Sequence, residues 1–63
     1  MAQKVFELIR ETDGVVLLSI TANTEYSGAS IRMFDQWEDP AHLDRFAQTL
    51  SEAAFWLREN GVN

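Results

Sequence analysis

The stretch "VFELIRETDGVVLLSITA", Val5 to Ala22, decides the fold, because Asp13-Gly14 at its middle is either the end of a helix or the turn of a hairpin. Val5, Phe6 and Ile9, with Ala2 before them, stand at i, i+3, i+4 and i+7, the stripe of an amphipathic helix, and Leu8 widens it. Strand alternation fits this segment less well, since Val5 and Ile9 would share a face with Glu7 and Glu11. The favoured expectation is therefore an N-terminal helix, with Gly14 taking the left-handed conformation common just past a helix end. The alternative is a primed Asp-Gly turn joining strands Val5–Thr12 and Val15–Ala22.

"VVLLSITA" itself has the β-branched content of a strand, with both faces apolar as far as Leu18, so cover on both sides is expected for part of its length. "NTEYSG", Asn23 to Gly28, collects turn formers. "ASIRMFDQW" then resumes a strand in which Ile31 and Met33 alternate with Ser30, Arg32 and Phe34. These two strands predict a β-hairpin with a loop of about five residues.

Asp39-Pro40 is a helix start: Asp39 can cap free amides, and proline is harmless at the first helical position. Glu38 and Asp39 also suit the positive end of the helix dipole. From Pro40 to about Asn60, Leu43, Phe46, Ala47, Leu50, Ala53, Ala54 and Leu57 fall on one face, and Gly61 is the expected C-terminal cap. The expected architecture is α+β, helix–strand–strand–helix, with the hairpin packed against the long C-terminal helix. The alternative is a three-stranded meander followed by one helix.

A chain of 63 residues is one small domain at most, and a domain of that size buries only about 60% of the surface its unfolded chain exposes. With no cysteine and one histidine, His42, disulfides and a structural metal are poor candidates for supplementary stability. Self-association is the expected supplement. Two copies pairing hairpin edges, or two copies pairing the C-terminal helix, would each provide it.

Ten acidic against five basic residues give a net charge of −5. Lys4, Arg10, Arg32, Arg45 and Arg58 are scattered, so no basic stripe suggests direct nucleic-acid binding. The longest plain apolar run, Val15 to Leu18, is far short of the ~20 residues of a membrane span, and the first residues have no leader pattern. A soluble cytoplasmic protein is expected, acting on no membrane.

The chemistry-bearing candidates are few. Ser19, Ser27, Ser30 and Ser51 have only His42 as a common base and no glycine-bearing elbow, and Gly14, Gly28 and Gly61 are too far apart for a phosphate loop. Asp35, Glu38 and Asp39 with His42 have no recognised metal-ligand spacing. No cofactor, metal or catalytic set is expected, and a small enzyme or metal protein built on His42 is the remotest reading.

The aromatics carry more information. Trp37 stands at the strand-to-helix corner among Asp35, Glu38 and Asp39, where it can close the small core or anchor a partner. Consecutive helical residues point about 100° apart, so Phe55 and Trp56 flank the stripe that holds Leu57 and make the C-terminal half of the helix apolar around most of its circumference. The leading functional expectation is a protein-interaction or regulatory module that binds a protein partner as a homodimer through Trp37, Phe55, Trp56, Asp35 and Glu38. The dimer interface itself is expected to include Phe55 or Trp56. The rival is an acidic decoy that presents Glu25, Asp35, Glu38, Asp39 and Asp44 to a basic nucleic-acid-binding groove.

Overall fold

The computed structural model describes residues 1–33 and 37–63. It shows an α+β fold: strands β1 (Gln3–Ile9), β2 (Val16–Asn23) and β3 (Gly28–Met33), then helix α1 (Pro40–Glu59). The strands form one antiparallel sheet in the order β1-β2-β3. This is the meander with a single following helix. The N-terminal helix is corrected to a strand, and the physical reason lies in how the apolar residues divide. Phe6 and Leu8 alternate onto the face that carries the helix, opposite Ile20 and Leu18, while Val5 and Ile9 stay on the exposed side with Glu7. The shared face that made a strand look unfavourable is the one turned to water.

The turn also differs from the two-residue form. The Arg10 amide donates to the Val15 carbonyl at 2.8 Å and the Gly14 amide to the Arg10 carbonyl at 2.8 Å, enclosing residues 11–14. Gly14, at φ 73°, supplies the left-handed backbone this closure needs. The Asp13 carboxylate accepts from Arg10 through both Nε (2.9 Å) and Nη2 (2.6 Å), and from the Val15 amide at 3.2 Å. The hydrogen bonds from Arg10, then that from Val15, hold the Asp13 carboxyl below its usual range, and the hydrogen bond to Asp13 with the carboxylate's charge raises the Arg10 guanidinium. Because the folded value is depressed, this contribution to stability is present above the ordinary carboxylate pKa and is lost as pH falls through the depressed one. In an NMR titration the Asp13 carboxyl is expected to titrate below the ordinary aspartate value and to move up in Arg10→Ala. An Asp13 midpoint unchanged by that substitution would contradict the bidentate pair.

Both leucines of "VVLLSITA" are buried in one core, without cover on two sides. The β1–β2 register shifts between Leu8, opposite Leu18, and Ile9, opposite Val16, so Leu17 is the extra residue of a β-bulge. Leu17 and Leu18 thereby join Leu8, Ile20, Phe46 and Ala53 in a single cluster.

A short 3-10 turn, Thr24–Tyr26, joins β2 to β3; the Asn23 side chain accepts from the Glu25 amide and Ser27 is left-handed at φ 53°. At α1, Asp39 accepts from the His42 amide at 2.9 Å and Pro40 opens the first turn. The helix ends as expected: Gly61, at φ 92°, donates to the Arg58 carbonyl and Val62 to the Leu57 carbonyl, the paired bonds of a Schellman cap. The helix packs on β1 and β2, centred on Phe46 and Ala53. Leu43, Ala47 and Leu50, expected in the buried stripe, are exposed.

Candidate partner-binding surface

Trp56 and Phe6 build the centre of the surface. Phe6 reaches the helix-bearing face by strand alternation, and α1 brings Trp56 against it in a T-shaped contact, with ring centroids 6.5 Å apart and planes at 71°. Lys4, two residues along the same face, lies with Nζ 5.2 Å from the Phe6 centroid, a cation–π contact at the rim. Phe55 precedes Trp56 on the helix and points about 100° away, and 60% of it remains exposed. Together these side chains line an open groove of about 530 Å³ between β1 and α1, edged by Glu52 and Glu59.

The two aromatics expected to flank the helix stripe therefore have different roles. Trp56 is half-buried, its ring packed against Phe6 of the sheet, whereas Phe55 is exposed. The structure adds Phe6 and Lys4 from a strand some 50 residues earlier in the chain. The signal that could have found them was the alternative hairpin reading, whose strand alternation sets Phe6 on the face of Leu8 and, extended by one residue, Lys4 with it.

The acidic corner is arranged differently. Trp37 is fully exposed, so it does not close the core as the corner reading expected. The Glu38 carboxylate lies 2.6 Å from Nδ1 of His42, and its side chain is only 10% exposed. Asp39 is engaged in the helix cap. Asp35 lies outside the described residues. Glu25, on the turn after β2, is at the opposite end of the sheet from Glu38; at ~3.4 Å per residue, β3 alone separates them by about 20 Å. Among the described residues, Glu25 and Glu38 do not share one face of the molecule, and Glu38 and Asp39 are committed to local contacts.

No family model matches the chain, and neither the curated proteins nor the solved structures compared with it include a match. No helix among the described residues is long and apolar enough to cross a membrane.

Proposed function

We propose that this chain is a small protein-interaction module that works as a homodimer and captures a protein partner in the groove between β1 and α1. The observation that carries this reading is Phe55, 60% exposed beside a Trp56 ring that the sheet holds in place. A rigid aromatic wall next to an exposed aromatic is the arrangement in which interface hot spots occur. The chemistry suits a segment with an apolar anchor for the Phe6, Phe55 and Trp56 surface and a basic residue beside it for Glu52 or Glu59. The cysteine-free composition supports a reducing, cytoplasmic setting. The exposed Trp37 offers a second anchor at another part of the molecule, whereas the dispersed acids give the decoy reading little support.

The test is capture from the native cell with wild type, Phe55→Ala and Trp37→Ala side by side, followed by titration of the captured protein. Phe55→Ala is expected to weaken binding by about 30-fold, the scale of a ~2 kcal/mol hot spot. Affinity should depend only modestly on salt, because the anchor is apolar and the charges sit at the rim. Equal affinity for wild type and Phe55→Ala would remove the groove from the proposal, and loss confined to Trp37→Ala would move the site to the acidic corner.

A further inference from the structure

The two edges of the sheet are built differently. β1 carries Lys4 and Glu7, charges that discourage further strand pairing. β3 runs in unbroken register with β2 from Gly28 to Met33 and has one charge, Arg32. Its inner face is also uncovered. Ile31 stands opposite Ile20 and Met33 opposite Leu18, which places both on the helix-bearing face, yet they are 54% and 55% exposed because α1 sits over the other two strands. On α1, Leu43, Ala47 and Leu50 are exposed along the flank opposite Gln48, Glu52 and Trp56, which face the β1 groove. The uncovered apolar residues of β3 and of this flank both lie away from the β1 groove.

We propose that β3 pairs antiparallel with β3 of a second copy, making a six-stranded sheet with both helices on one face. The proposal rests on the homodimer reading above and assigns it a surface. The occupant is argued from register. With Ile31 opposite Ile31 of the second copy, the two-fold axis places Met33 opposite Ala29 and Arg32 opposite Ser30, large against small and cation against hydroxyl. A register centred on Arg32 would instead oppose like charges, which is destabilising. The Ile31-centred strand is thus complementary to itself, as a closed two-fold interface requires. Pairing removes the open edge and joins the Ile31 and Met33 floors of both copies into one apolar strip. It leaves the Phe55 groove, on the far side of α1, free for a partner.

The test is sedimentation of wild type, Ile31→Lys and Phe55→Ala from roughly 1 µM to 1 mM, the span over which weak and moderate dimers dissociate. Wild type and Phe55→Ala are expected to dimerise. Ile31→Lys should raise the dissociation constant more than about tenfold, since two ammonium groups then face each other at the axis. Ile31 is exposed in the single copy, so the variant should keep its far-UV circular dichroism. If it does not, an Ile31→Cys variant decides the matter: in a chain with no other cysteine, oxidation should link two copies through that position and not through Asp13→Cys. Monomeric wild type throughout would overturn this proposal and the homodimer reading together. A dimer that survives Ile31→Lys and dissociates in Phe55→Ala would overturn the β3 pairing alone and place the interface in the groove.

Discussion

Leu17→Ala is expected to leave the chain largely unfolded at 25 °C, with an effect as large as that of Leu18→Ala. Leu17 is 1% exposed and Leu18 fully enclosed, and both belong to the cluster that seats Phe46 and Ala53 of the helix. Truncating a buried leucine costs about 2–5 kcal/mol through lost transfer energy and an unfilled cavity. A single core in a domain this small rarely supplies more than about 3–5 kcal/mol in total. A substitution of that size therefore consumes most of the stability. Urea titrations followed by circular dichroism would measure it, with half-buried Val16→Ala as the mild comparison. The diagnostic comparison is Leu17 against Leu18. In a regular strand these neighbours would point to opposite faces, and Leu17, on the face of Ser19 and Thr21, would tolerate truncation. A small shift for Leu17→Ala beside a collapse for Leu18→Ala would contradict the bulge.

The same two residues show where sequence reading stops. Two adjacent leucines in a strand announce that both are buried, and the expected solution was cover on both faces. A bulge achieves the same burial with one covered face, and only the register between β1 and β2 reveals it. Elements whose signals are local were legible: the Asp39-Pro40 start, the Gly61 stop and the β-branched run of β2 each depend on chemistry within a few residues. β1 was not, because Val5, Phe6 and Ile9 satisfy a helical stripe while Phe6 and Leu8 satisfy a strand alternation. What decides between them is the long-range benefit of pairing with β2. The turn at Asp13-Gly14 was located correctly, but its length was not. The Asp13 side chain bonds to Arg10 and Val15 and so supports a longer loop than the backbone of the dipeptide alone suggests.

The candidate surface divides in the same way. Phe55 and Trp56 were visible as surplus aromatic surface on one helix, since helical geometry sets their directions without knowledge of the sheet. Phe6 depended on the strand reading and was missed with it. Trp37 at its corner was expected to cover the core, yet Leu8, Leu17, Leu18 and Ile20 already fill the space beneath α1 and Trp37 stays outside. The exposed Leu43 and Leu50 mark the remaining error. A stripe wider than the sheet area beneath it cannot all be buried, and α1 is centred over two strands of the three.

Separating the two groove aromatics gives the second large effect. Trp56→Ala is expected to cost about 2 kcal/mol of stability, below the ~3–5 kcal/mol of a fully buried aromatic because part of the ring is in water. It removes the edge-on contact that ties the C-terminal half of α1 to β1. Phe55→Ala, by contrast, should stay within about 0.5 kcal/mol of wild type, the range of surface substitutions. A double-mutant cycle with Phe6→Ala should return a coupling of about 0.5–1.5 kcal/mol for the Phe6–Trp56 pair and none measurable for Phe6–Phe55. The distinction bears on function. A residue that supports the fold loses binding and stability together when truncated, so its effect on partner capture is ambiguous. Phe55 is the groove aromatic whose truncation should weaken capture by about 30-fold while the denaturation midpoint stays in place. If Phe55→Ala instead lowered the midpoint as much as Trp56→Ala does, Phe55 would be a packing residue, and the groove would lose the exposed anchor on which the interaction reading depends.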